Sequence, residues 1–116
     1  MIIKKQVILD GLCHQMFYAC GVVEVVYNNF GKHAVITTAL DSHENDPIRI
    51  HPEGKACDFR THMLDRPTTD AILRYLIDLL GPLGFDLFIE DVGTTNEHLH
   101  IEWDPKGTER IFRKET

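Results

Sequence analysis

Residues 98–103 read His-Leu-His-Ile-Glu-Trp, and the alternation in this stretch decides the fold. Leu99, Ile101 and Trp103 fall on one side of an extended chain, and His98, His100 and Glu102 on the other. Strict alternation with a period of two marks a strand with one face on a core and one face polar. Just upstream, Gly93-Thr94-Thr95-Asn96 is a turn, and residues 85–92 form a further strand candidate. A connection this short favours antiparallel pairing of the two.

Working outward, Pro67-Thr68-Thr69-Asp70 opens a helix that stops at Gly81-Pro82, with Ile72, Tyr75, Leu76, Leu79 and Leu80 on one side. Residues 56–60, Ala-Cys-Asp-Phe-Arg, predict a short strand with Asp58 and Arg60 on one face and Cys57 and Phe59 turned to the core. The run 34–40 is rich in β-formers, and residues 41–47 read as a loop. From Asp10, a plausible N-cap, to about Asn29, the residues Leu12, Met16, Cys20, Val23, Tyr27 and Phe30 recur at helical spacing, and Gly31 stops the helix. The order is helix, strand, strand, helix, strand, strand. This is an α+β class: a small antiparallel sheet flanked by two main helices, in one domain over residues 1–116.

Composition narrows the function classes. Apolar residues are 43% and charged residues 26% of the 116, ordinary globular values. The formal net charge is −6 and no basic stripe is present, which argues against nucleic acid as a partner. No apolar run reaches the roughly 18 residues that span a bilayer, so membrane insertion is not expected. The start, MIIKKQVILDG, lacks the apolar region and cleavage site of a secretory signal, so synthesis in the cytoplasm is expected. Cys13, Cys20 and Cys57 form no CxxC pair and read as small hydrophobes rather than a disulfide or thiolate zinc framework. Nothing in the pattern fixes an oligomeric state.

The histidines carry the chemistry. His98 and His100 project the same way from one strand, and His51 and Asp58 flank a tight segment containing Pro52 and Gly54. Two histidine nitrogens and one carboxylate oxygen make the three-ligand set of a catalytic zinc, with the fourth position left for water. An ion so held keeps net positive charge and polarises a carbonyl. The competing reading is a solvated strand face that happens to carry an H-x-H pair. Either way Trp103 reads as core, and His14, His33 and His62 as surface residues.

The run His51-Pro52-Glu53-Gly54-Lys55-Ala56-Cys57-Asp58 matches H-x-x-G-x-A-x-D, and Glu97-His98-Leu99-His100 supplies a downstream H-x-H with an acid three residues before the last histidine. Together these resemble the M15-type zinc peptidases: D-Ala-D-Ala carboxypeptidases and dipeptidases, and phage endolysins that cut L-alanyl-D-glutamate bonds. Their zinc fold is shared with the hedgehog signalling domain, and the match here is to the compact phage and prophage type. The resemblance implies zinc (Zn2+) ligands His51, Asp58 and His100. It implies Glu97 as catalytic acid/base and His98 as a donor to the developing oxyanion; Glu102, on the same strand face as His100, is the reserve acid/base. Arg49 and Arg60 are the candidate substrate-binding residues, because a guanidinium can grip a peptide carboxylate bidentately. His43, in the loop before the motif, is expected in solvent or against substrate.

The implied function is hydrolysis of peptidoglycan stem peptides, at a terminal D-Ala-D-Ala bond or an internal L-Ala-D-Glu bond. The setting would be cell-wall degradation after release by phage lysis or from a virion. The alternative is a catalytically silent zinc-binding structural or interaction module. Regular strand geometry sets one condition: residues 97 and 100 would face opposite sides, so Glu97 reaches the metal only if the chain bends near residues 96–98.

Overall fold

The computed structural model describes residues 1–39 and 54–104. Its elements are β1 (Ile2–Ile3), α1 (His14–Asn29), β2 (Val35–Thr38), β3 (Ala56–Arg60), α2 (Arg66–Leu80), a 3-10 turn (Gly81–Leu83), β4 (Phe85–Glu90) and β5 (His98–Trp103). They form an α+β fold. The five strands make one sheet in the order β1-β2-β3-β5-β4, antiparallel except for the β1–β2 edge pair. No helix among the described residues is long and apolar enough to cross a membrane.

The alternation in β3 and β5 sorts the sheet into two faces. Cys57, Phe59, Leu99 and Ile101 are all but fully buried and join Phe85 and Leu87 of β4 in the core. Both helices cover this face. α1 brings Met16, Ala19, Cys20, Val23, Val26 and Tyr27, and α2 brings Thr69, Ile72, Leu76 and Leu80. Trp103 packs partly buried against the same core. The thiols of Cys20 and Cys57 meet across the α1–β3 contact at 3.9 Å, and all three cysteines are free.

Several boundaries differ from the sequence expectation, each for a local reason. α1 begins at His14 rather than near Asp10, because Gly11 takes a left-handed φ of 92° and Leu12 closes a turn on Leu9. Its N-cap is Cys13, which makes no side-chain capping bond. α2 starts one residue earlier than Pro67, capped by Asp65, whose carboxylate accepts the Thr68 N–H at 2.8 Å. Tyr75 and Leu79 are more than half exposed instead of facing the core. They lie about 100° (Tyr75) and about 60° (Leu79) from the centre of the stripe set by Ile72, Leu76 and Leu80, and the Tyr75 ring meets Phe30 instead. β4 ends at Glu90, short of Val92, because Asp91 turns left-handed (φ 53°) and starts the loop into β5. The edge strand β1 has no counterpart in the sequence reading.

Candidate metal centre

The opposite face of the sheet gathers polar side chains at its centre. Asp58 of β3 pairs with His100 of β5, and Arg60 pairs with His98. On the other flank of β5, Glu90 pairs with His98 and Phe88 with His100. Partners in register share a face, so Asp58, Glu90, His98 and His100 point to one place.

Their side chains converge there. Asp58, Glu90 and His98 each present a ligand atom, and these atoms lie within 4.8 Å of one another, close enough to hold one metal ion. His98 Nε2 is 2.9 Å from Glu90 Oε1 and 3.6 Å from Asp58 Oδ2, while its Nδ1 donates to the Asn96 carbonyl. His100 reaches the same spot through Nδ1, which lies 2.9 Å from Asp58 Oδ1 and 3.4 Å from Glu90 Oε1. Asp58 is buried, whereas Glu90 is about 41% exposed and opens the cluster to solvent.

Glu102 occupies the far side of the His100 ring. The ring's Nε2–H donates to Glu102 Oε1 at 3.0 Å, and both side chains are buried. A carboxylate on the second nitrogen is how proteins fix the tautomer and aim of a metal-binding histidine. Burial disfavours the charged ring, but the hydrogen bonds to Asp58 and Glu102 outweigh it and lift the His100 pKa to about 10. For His98, burial again opposes the charge, and the Asp58 carboxylate, the Asn96 carbonyl and Glu90 together raise its pKa. The His100 ring therefore holds an extra proton at neutral pH that a metal must displace.

Glu97 stands just outside the ladder, in the turn before β5, so the strand geometry that would send it to the wrong face does not apply. It shares a cavity of about 310 Å³ with Asp58 and His98. Its carboxylate accepts the Thr61 hydroxyl at 2.7 Å, the Gly93 N–H at 3.1 Å and the Arg66 guanidinium. The Thr61 bond is the largest influence on its pKa; burial opposes it, and the net effect with Arg66 and Gly93 is a lowered value.

Of the residues singled out from sequence, Asp58, His98 and His100 come together, and Glu97 and Arg60 line the adjoining cavity. Glu102 supports His100 instead of facing that cavity. His51, Arg49 and His43 lie outside the described residues. Sequence reading missed Glu90, Thr61 and Arg66. Glu90 was detectable in principle, since pairing β4 with β5 through the residue 91–97 turn sets it opposite His98. His62, expected to be an ordinary surface residue, also lines the cavity.

The glycine of the H-x-x-G run has a plain structural cause. Gly54 has φ +78°, and a Cβ there would sit 2.4 Å from the Gly11 carbonyl oxygen. Its own carbonyl accepts the Cys13 N–H at 2.9 Å, tying the entry to β3 to the start of α1. Comparisons of the chain with protein-family models, with curated proteins and with solved structures found no match.

Proposed function

We propose that the chain is a zinc-dependent peptidase that hydrolyses stem peptides of bacterial peptidoglycan. The supporting observation is the two-sided setting of His100, with Nδ1 turned to Asp58 and Nε2 held by buried Glu102. That is the arrangement expected of a ligand histidine, and it falls on the two described residues of the H-x-x-G-x-A-x-D and H-x-H motifs that would be ligands. His51 would complete the set. Histidine nitrogen with carboxylate oxygen suits zinc.

When bound, zinc would polarise the scissile carbonyl and acidify water beside it. The chain's own groups supply the rest. Glu97, kept ionised by Thr61 and Arg66, is ready as a base to take the proton of an attacking water and then return it to the leaving amine. Thr61 and Gly93 fix the direction of its carboxylate, so little reorientation is needed during proton transfer. His98, with its pKa raised, can donate to the oxyanion of the tetrahedral intermediate. The bond cleaved is D-Ala-D-Ala or L-Ala-D-Glu, and the setting that fits is wall degradation in phage lysis.

The three partners of Glu97 also favour a second reading, in which it only fastens the residue 91–97 turn and the chain is a metal-holding interaction module. Digestion of purified muropeptides by the zinc-loaded protein, read by mass spectrometry of the new termini, separates the two. The peptidase reading expects cleavage by wild type and a fall of about 10²–10⁴ in kcat for Glu97→Gln at unchanged metal content. Intact muropeptides, or a Glu97→Gln variant that cuts at the wild-type rate, would contradict it.

A further inference from the structure

The cluster on the polar face of the sheet has donors for more than one ion. Asp58, at its centre, turns its two carboxylate oxygens to different histidines: Oδ1 lies 2.9 Å from His100 Nδ1, and Oδ2 lies 3.6 Å from His98 Nε2. Behind each ring the far nitrogen is fastened, His100 Nε2 by Glu102 at 3.0 Å and His98 Nδ1 by the Asn96 carbonyl at 2.7 Å. A carbonyl oxygen only accepts, so His98 Nδ1 carries a proton and Nε2 is the nitrogen turned to Asp58 and Glu90. Both rings are held as metal-binding histidines are held, from the side away from the ion. Yet a zinc at His51, Asp58 and His100 uses only one of them. His98 remains, with its Nε2 2.9 Å from Glu90 Oε1. Cross-strand register explains the pairing: Glu90 of β4 stands opposite His98 of β5, two residues along the strand from the Asp58–His100 pair.

We propose that Asp58, Glu90 and His98 hold a second divalent cation, and that Asp58 bridges it to the zinc through its other oxygen. The bridge rests on the zinc ligands of the peptidase reading and not on cleavage. One imidazole nitrogen and two carboxylate oxygens, all within 4.8 Å of one another, suit Mn2+ as well as zinc. Glu90, about 41% exposed, gives the second position its access from solvent. Paired ions in two-metal sites lie about 3.5–4 Å apart. Like charges that close repel, so the second position fills after the first and more weakly, and stoichiometric zinc occupies the first alone. His98 Nε2 is also the nitrogen free to serve an oxyanion, so the second ion and that donor exclude each other.

The test loads the protein with one zinc per chain and titrates it with Mn2+, following free Mn2+ by its EPR signal, which the bound ion loses. Wild type is expected to take up one Mn2+ and keep its zinc. Glu90→Gln and His98→Gln are each expected to weaken Mn2+ uptake at least about tenfold. Their retained zinc reports that they are folded with the first position intact. No Mn2+ uptake by zinc-loaded wild type, uptake that expels zinc one for one, or uptake unchanged in both variants would overturn the proposal. Loss of zinc itself from both variants would also overturn it, because a single ion would then sit at Asp58, Glu90 and His98. Mn2+ uptake by a protein that leaves muropeptides intact would retain the second position and reject the peptidase reading. Cleavage by a protein that takes up no Mn2+ would do the reverse.

Discussion

Two residues of the motif owe their identity to different constraints. Gly54 is set by backbone geometry: its left-handed φ and the Gly11 carbonyl against it leave no room for a side chain. Gly54→Ala is expected to cost about 1–3 kcal/mol in denaturant unfolding, the usual penalty for a non-glycine residue held left-handed. Asp58 is set by charge, as a buried carboxylate between two histidines. Thr61 acts through Glu97. Thr61→Val keeps the shape but removes the 2.7 Å hydrogen bond, and a loss of about 1 kcal/mol is expected. If Glu97 is the base, the variant should also lower kcat while leaving zinc content alone; unchanged kcat would make Thr61 purely structural.

At the scale of elements, the period of two in His98–Trp103 was enough to find β5 and assign its faces, because burial on one side forces strict alternation. β3 was legible for the same reason, and its bounds agree with the sequence expectation. The start of α1 was not. Leu12 and Cys13 continue the apolar spacing of the helix, yet a close approach to Gly54, distant in sequence, fixes the residues before His14 in a turn. Glu90 escaped notice because its meaning depends on cross-strand register, which one strand alone does not reveal. α2 supplies a pH test. Its cap Asp65 has a lowered pKa through its bonds to Thr68. A depressed carboxylate stabilises above its unfolded pKa, about 3.9, and that contribution is lost as pH falls through the folded value. Thermal melts should therefore show Asp65→Ala less stable than wild type at pH 7, with the gap closing toward pH 3. A gap that widens on acidification would contradict the cap assignment.

For the whole molecule, the sheet's division into an apolar face under two helices and a polar face with the histidines lets the core and the cluster be altered separately. Folding depends on the first face, so the metal-free protein should fold and metal should add to its stability. With free zinc a hundredfold above its Kd, the linkage is worth about 2.7 kcal/mol, which in a domain of this size raises Tm on the order of 10 °C. The fold class and three of the converging residues, Asp58, His98 and His100, could be read from the chain before its structure. The second layer was legible only in part: Glu102 shares the strand face of His100 two residues away, whereas Thr61 and Arg66 reach Glu97 only through tertiary contacts.

The central claim is that one zinc binds at Asp58 with His100 and His51. Calorimetric titration of metal-free protein with zinc, on wild type and on His51→Ala, Asp58→Ala, His100→Ala and Glu90→Gln, tests it most directly. The expected result is one zinc per chain, affinity reduced at least a hundredfold in the first three variants, and less than tenfold in Glu90→Gln. Wild-type binding by His51→Ala, together with loss in Glu90→Gln, would contradict the claim and move the ion to Asp58, Glu90 and His98. Absence of zinc binding by wild type would reject the metal centre altogether.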